Sequence, residues 1–81
     1  MKSKHGDKLT QPAWLVVSSH ASPVSVGGLV RNNEWFDSEG EAREFILRLA
    51  QAYGQLSYSL RRFDAGESRT GEGTLLEQGG Q

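Results

Sequence analysis

The residues of the chain best suited to nucleophilic chemistry are Ser18, Ser19 and His20, which are adjacent in the sequence. A serine nucleophile needs a hydrogen bond to a base such as histidine, and the base needs a third group to orient it. Asp37 and Asp64 could supply that third group. However, neighbouring residues of a strand point to opposite faces, and so short a chain has little core from which to build a pocket. We therefore interpret these residues as a polar strand end and predict that the protein is not an enzyme.

Metal and phosphate sites have little support in the sequence. The two histidines, His5 and His20, do not match the ligand spacing of a zinc or calcium site. The chain contains no cysteine, so it has no thiolate ligand and no disulfide. Gly27-Gly28 lacks the other glycines and the lysine of a phosphate loop, and it indicates a bulge instead. We predict no metal and no cofactor.

Three arginines could form a nucleic-acid site: Arg31, Arg61 and Arg62. If they lie at one end of a sheet, they form a small basic patch beside aromatic side chains, and such patches bind single strands. Arg61 and Arg62, however, point to opposite faces of a strand. The net charge of the chain is −1, so the basic excess that phosphate binding normally requires is absent. Nucleic-acid binding is therefore the alternative function rather than the leading one.

One amphipathic helix is predicted over residues 39–53. Ser38 is a suitable N-cap, and Glu41 three residues later completes a capping box. An apolar stripe of helical period follows. Its members are Ala42, Phe45, Ile46, Leu49, Ala50 and Tyr53. Gly54 then stands where a glycine commonly ends a helix.

Strands are predicted on both sides of the helix. Residues 55–63 alternate with period two, so Leu56, Tyr58 and Leu60 share one face. Residues 14–19 form a short strand, and residues 24–36 read as a hairpin with its turn at Asn32-Asn33. These elements predict an α+β fold: a small, mainly antiparallel sheet, in the order β-β-β-α-β, with one helix packed on one face.

The composition divides the chain into three zones. Residues 1–11 are polar, residues 12–64 carry every aromatic side chain, and residues 65–81 are rich in glycine. The first and last zones have too little to bury to offset their ordering entropy, so we expect flexible tails on one folded domain. No apolar run approaches the length of a membrane span, and none near the N-terminus is of signal-peptide type. These features favour a cytoplasmic location.

The predicted sheet has more apolar surface than one helix can cover. If Leu15 and Val17 face the helix, Trp14 and Val16 face the opposite way. Trp35 and Phe36 also alternate, so one of them leaves the helix side. The prediction is an apolar patch on the open face, made by Trp14, Val16 and one of Trp35 or Phe36. Exposed apolar patches often mark protein interfaces, although a tail could cover this one.

A short run at the predicted strand-to-helix junction resembles one found in many small bacterial and phage domains. The run is Phe36-Asp37-Ser38, followed by Glu41 and Ala42. The layout of residues 12–64 is also similar to that of some small phage-encoded inhibitors, including certain anti-CRISPR proteins. The resemblance implies an architecture and a class of function, and it assigns no role to any residue.

The leading hypothesis is a small, non-enzymatic protein-binding module that acts as a regulator or inhibitor of a larger protein assembly. It follows from the lack of catalytic groups, the small size and the surplus apolar surface. Two modes of binding are open: the apolar patch, or pairing through a free edge of the sheet. A homodimer is compatible with either mode.

Overall fold

The computed structural model describes residues 8–22 and 27–80 of the chain. The α+β class is confirmed, because in this part of the chain one antiparallel sheet of four strands carries a single helix. The elements are β1 (Ala13–Ala21), β2 (Leu29–Phe36), α1 (Glu39–Ala52), β3 (Leu56–Phe63) and β4 (Thr74–Gly79). Their spatial order in the sheet is β2-β1-β3-β4. The order along the chain is therefore β-β-α-β-β, which differs from the predicted β-β-β-α-β.

Helix α1 begins as the capping signal predicts. Ser38 has an extended backbone, and its side-chain oxygen accepts a hydrogen bond from the Glu41 N–H at 3.2 Å. In the first turns, the Arg43 Nε donates to the Glu39 carboxylate at 2.8 Å, which is a pair with i,i+4 spacing. The helix ends at Ala52, one residue before the predicted end. Local sequence therefore determines both the start and the length of this element.

The predicted turn at Asn32-Asn33 is wrong, since both residues lie inside β2. The strand pairs with β1 along its whole length, with Ser18 opposite Asn32 and Val17 opposite Asn33. Cross-strand pairing thus overrides the turn preference of asparagine. The chain reverses between Ala21 and Leu29, where the Ser22 N–H donates to the Gly28 carbonyl at 3.0 Å. Residues 24–26, the start of the predicted hairpin, lie outside the described residues.

The fourth strand lies in the segment that the sequence analysis assigned to a flexible C-terminal tail. Strand β4 pairs with β3 in an antiparallel register, with one irregularity between Leu60 and Arg61. Its six residues bury little surface, so its sequence shows no strong alternation of apolar and polar residues. Backbone pairing with β3 holds the strand in place. Gly79 is required here, because a Cβ at this position would lie 2.7 Å from the Tyr58 ring.

The main core lies between α1 and the sheet. It consists of the buried residues Val16, Ala42, Ile46 and Leu60, surrounded by the partly buried Trp14, Phe36, Phe45 and Tyr58. Val16 and Leu60 come from the two central strands, where they are paired directly. Both have no exposed surface. The centre of the sheet therefore supplies the residues that the helix buries.

A second, smaller cluster lies on the opposite face of the sheet, which we call the open face. Leu9, Ala13 and Phe63 are buried there. Leu9 is held by two backbone hydrogen bonds: its N–H donates to the Glu67 carbonyl at 2.9 Å, and its carbonyl accepts from the Gly66 N–H at 2.8 Å. The end of the predicted N-terminal tail thus packs onto the sheet, while residues 1–7 lie outside the described residues.

The predicted assignment of β1 to the two faces is wrong. Trp14 and Val16 face the helix and pack in the main core, whereas Leu15 packs in the cluster of the open face. Both sets of alternate residues in β1 are apolar, so alternation alone does not say which set the helix covers. The prediction that Trp35 and Phe36 lie on opposite faces is confirmed: Phe36 joins the main core and Trp35 the open face.

We expect Leu60→Ala to lower the free energy of unfolding by about 2–5 kcal/mol, because it leaves a cavity at the fully buried centre of the core. Leu29 is 74% exposed at the start of β2. Leu29→Ala, the matched control, should change stability by less than about 0.5 kcal/mol. Urea denaturation followed by circular dichroism measures both. Equal losses for the two variants would contradict the core described above.

Candidate functional site

Helix α1 does not cover the whole sheet. It packs over β1, β2 and β3, and its backbone makes no close approach to β4. The side of β4 that faces the helix is therefore left uncovered. A groove of about 320 Å³ lies there, which we call the α1/β4 groove. It is lined by Arg43, Ile46, Leu47, Ala50, Tyr58 and Glu77.

A polar network crosses this groove and ties β4 to the helix. The Tyr58 hydroxyl donates to Glu77 Oε2 at 2.6 Å, and Arg43 pairs with the other carboxylate oxygen of Glu77. The hydrogen bond from Tyr58, followed by that from Arg43, lowers the pKa of Glu77 below its ordinary value. The same bond raises the pKa of Tyr58, because the protonated hydroxyl is the donor. Glu77 thus acts as an anchor in its charged form.

The two elements that form the α1/β4 groove carry exposed leucines, of which Leu47 lines the groove and Leu75 lies on the opposite, open face. Four large apolar side chains are exposed in the described part of the chain, and three of them lie on α1 or β4: Leu47, Leu75 and Leu76. Leu47 is 61% exposed and lines the groove itself. It lies outside the apolar stripe of the helix, and an apolar residue off the stripe was the signal in the sequence that could have identified this surface.

The open face has a different chemistry, arranged in rows across the strands. In one row Arg31 of β2, Ser19 of β1 and Ser57 of β3 are neighbours. The next row contains Asn33, Val17, Ser59 and Gln78, and a third contains Trp35, Leu15, Arg61 and Leu75. Beyond the third row, the cluster around Leu9 and Phe63 covers the end of the sheet. The middle of the open face is therefore polar.

Charge is segregated between the two faces. Arg31 and Arg61 lie on the open face, as their registers with Ser19 and Leu15 show. The only carboxylates in the four strands are Glu34 and Glu77, opposite Val16 and Leu60 on the helix side. The strands thus present two arginines and no carboxylate on the open face, although the net charge of the whole chain is −1.

The structure places three of the four predicted protein-interface residues in the main core instead of on the open face. Val16 is fully buried under the helix, and Trp14 and Phe36 pack around it, so no apolar patch of these residues exists on the open face. Phe36 also contacts Phe45, with ring centroids 5.2 Å apart. Trp35 alone reaches the open face, where it packs on the Phe63 ring at 5.0 Å with the Arg69 guanidinium 5.6 Å from its own ring.

The three predicted nucleic-acid residues do not form one patch. Arg31 and Arg61 share the open face but lie in different rows, and Arg62 lies on the helix side. Arg62 is paired with the Asp64 carboxylate at 2.7 Å, and the Arg61 guanidinium donates to the Glu72 carbonyl at 3.1 Å. Arg31 stands within β2 rather than at a turn. Of the three, it alone has no protein partner among residues 8–22 and 27–80.

The structure separates the serine and histidine residues of β1. Ser18 and His20 face the helix, and Ser19 faces the other way. His20 is buried, stacks on Tyr53 with ring centroids 3.6 Å apart, and has its Nδ1 3.0 Å from the Ala21 carbonyl oxygen. The Ser18 hydroxyl is buried and has no hydrogen-bond partner among the described residues. Neither Ser18 nor Ser19 makes a hydrogen bond with the imidazole in this part of the chain.

Within residues 8–22 and 27–80, no three histidine, aspartate or glutamate side chains are grouped as metal ligands would be. In the same part of the chain, the single helix is neither long enough nor apolar enough to cross a membrane. Comparison with family models, curated proteins and solved structures gives no match for this chain. The α1/β4 groove and the polar open face are therefore the features that bear on function.

The network at the groove predicts a pH dependence. A carboxylate whose pKa is lowered on folding stabilises the folded state above its unfolded pKa, and this contribution is lost as the pH falls through the folded value. We expect Glu77→Gln to destabilise the protein at pH 7 and to make a smaller difference at about pH 3, because protonation of the carboxylate removes this contribution progressively as the pH falls. Denaturant unfolding at the two pH values measures this.

Glu34→Gln is the matched control for this prediction. Glu34 is an exposed carboxylate on the other edge strand and has no ion-pair partner among residues 8–22 and 27–80. Its substitution should have a smaller effect on stability at pH 7. A loss for Glu77→Gln that is equally large at both pH values would show that the charge of Glu77 does not anchor β4.

Proposed function

We propose that the protein is a small, non-enzymatic protein-binding module whose partner is an extended apolar segment of another protein. This segment pairs with the free edge of β4 and places its side chains in the α1/β4 groove. The observation that carries the proposal is the uncovered helix side of β4, next to the exposed Leu47 of α1. The edge offers unpaired backbone donors and acceptors, and the groove offers apolar surface.

The edge at β4 suits a partner strand better than the edge at β2. Strand β2 carries Arg31, Asn32, Asn33 and Glu34 in succession, and charged or polar side chains on an edge oppose pairing with another chain. Strand β4 carries the adjacent, exposed Leu75 and Leu76 instead. A segment added beside β4 would cover these leucines and contribute burial as well as backbone hydrogen bonds.

The dimensions of the groove favour an extended segment over a helix. An α-helix with its side chains is about 10 Å in diameter, so it would need a trough along the whole of β4. The groove measures about 320 Å³, which suits a few side chains of a strand. The carboxylate of Glu77 is already neutralised by Arg43, so the groove favours apolar rather than charged side chains.

Binding of this kind occupies a segment of the partner and withholds it from other contacts. The protein would therefore act as a regulator or inhibitor of a larger assembly, in agreement with the hypothesis drawn from the sequence. A chain without cysteine suits a reducing compartment such as the cytoplasm, where we place this function.

We expect Leu47→Glu to abolish partner binding, because it places a charge in the apolar groove and the cost of desolvating that charge opposes binding. Leu47 is exposed, so the fold should be retained. Leu29→Glu makes the same change on the opposite edge of the sheet and is the control. Affinity capture from nuclease-treated lysate, quantified by mass spectrometry, identifies proteins held by the wild type and Leu29→Glu but lost with Leu47→Glu.

An identical set of captured proteins for both variants would contradict the proposal. A second copy of this chain is one possible source of the extended segment, and sedimentation equilibrium distinguishes it. A wild-type dimer that becomes a monomer on Leu47→Glu, without any other captured protein, would identify β4 of the second copy as the partner strand.

A further inference from the structure

A second surface, on the opposite side of the sheet from the α1/β4 groove, has the features of a ligand site. A shallow cleft of about 640 Å³ crosses the polar rows of the open face and spans all four strands. The side chains that give it its chemistry are Ser19, Arg31, Ser57, Ser59 and Gln78. Because this cleft and the groove are on opposite faces, an inference about one does not depend on the other.

The polar groups of this cleft are free to bind a ligand. Arg31 has no ion pair and no side-chain hydrogen bond with any residue that the structure describes. The same holds for the hydroxyls of Ser19, Ser57 and Ser59 and for the amide of Gln78. By contrast, Arg43, Arg61 and Arg62 each engage an oxygen of the protein. The guanidinium of Arg31 therefore keeps its five N–H donors available.

The cleft favours anions. None of the residues that line it is acidic, and no strand residue on the open face is acidic either. Arg31 thus supplies a positive charge that no neighbouring carboxylate of the sheet offsets. An anion bound here would pair with Arg31 without displacing an ion pair of the protein, and so without the cost of breaking one.

The spacing of the donors fits an oxyanion with several oxygens. Arg31, Ser19 and Ser57 are neighbours on adjacent strands, which lie about 4.8 Å apart, and Ser59 follows Ser57 by two residues, about 7 Å along the strand. A carboxylate has two oxygens and would leave part of this array unused. A phosphate group can accept from the guanidinium and from hydroxyls on two sides.

The rows beside this array suit the rest of a nucleotide. Asn33 and Gln78 flank the second row, and each amide can both donate and accept hydrogen bonds, as nucleobase edges require. Arg61 and the partly buried Trp35 follow in the third row. Both are already engaged within the protein, Trp35 with Phe63 and Arg69 and Arg61 with the Glu72 carbonyl, so they border the nucleotide site without forming part of it.

We propose that this cleft binds a phosphate group carried by a nucleotide, with Arg31 as the ion-pairing group and the three serines as hydrogen-bond donors. The amide of Gln78, which lines the cleft, contacts the base. The source of the phosphate is either a free nucleotide or a single-stranded nucleic acid laid across the rows of the open face. The net charge of −1 limits the long-range attraction of anions to the protein. We therefore expect weak binding that depends on the contacts within this cleft.

The test is a titration of the ¹⁵N-labelled full-length chain at low salt, followed by amide chemical shifts. The probes are inorganic phosphate, adenosine monophosphate and single-stranded oligonucleotides of about eight residues. We expect shifts centred on Ser19, Arg31, Ser57 and Ser59. Arg31→Ala should weaken binding about tenfold or more, since a charged hydrogen bond is lost. Ser19→Ala/Ser57→Ala should weaken it severalfold while leaving Arg31 in place.

Arg62→Ala is the matched control, because Arg62 lies on the helix side and is paired with Asp64. It should leave the affinity within about twofold of wild type, since it removes no contact to the ligand. Tighter binding of the oligonucleotide than of the mononucleotide, with log K falling against log salt with a slope of about −0.7 to −1.4, would identify a single strand contacting one or two arginines. Equal affinities would identify the free nucleotide.

Three results would overturn the proposal. The first is an absence of chemical-shift changes in the cleft at about 10 mM of each probe. This concentration is well above the largest dissociation constant that would be meaningful for such a site. The second is equal weakening by Arg31→Ala and Arg62→Ala, which would indicate diffuse charge attraction rather than a site. The third is a set of shifts confined to Leu47 and its neighbours in the α1/β4 groove.

Discussion

The packing of one helix against a wider sheet is the constraint on which the rest of this structure depends. A helix is about 10 Å in diameter and adjacent strands are about 4.8 Å apart, so a single helix covers little more than two strands at their centre. Here the most deeply covered positions are Val16 of β1 and Leu60 of β3, which are paired with each other and fully buried. A strand position that the helix does not cover has to be polar, covered by another segment, or available to a partner.

The protein uses all three solutions. Strand β2 is polar along its edge, and the end of the open face is covered by Leu9, which the loop after β3 holds through backbone hydrogen bonds. The remaining apolar surface lies around β4 and Leu47, where the proposed partner strand would bind. The charges follow the same division, because the carboxylates of the strands lie on the helix side and the unpaired Arg31 on the other.

The small core also carries polar groups that it does not satisfy. The Trp14 Nε1 and the Ser18 hydroxyl are buried without hydrogen-bond partners in the described part of the chain. Each such group costs about 1–3 kcal/mol. A domain of this size has only a few kcal/mol of stability in total, so burial contributed by a partner at β4 would be a substantial gain. The low stability expected of so small a domain and the exposed leucines therefore both favour a partner at β4.

The sequence alone determined the elements whose signals are local. The capping residues Ser38 and Glu41 and the apolar stripe predicted α1 to within one residue, and alternation along β3 placed Leu56, Tyr58 and Leu60 on one face. These signals act between residues a few positions apart, so no knowledge of the rest of the chain is needed. The α+β class follows from the same local patterns.

Only the tertiary structure decided which face of β1 the helix covers, where β2 begins and whether residues 74–79 form a strand. Each of these depends on pairing between distant segments: Val16 with Leu60, Asn33 with Val17, and Glu77 with Leu60. The two candidate sites depend on that pairing too, since Arg31, Ser19 and Ser57 are neighbours only across strands. Alternation along one strand does not show which set of side chains is buried. That is decided only when pairing with a second strand fixes the register.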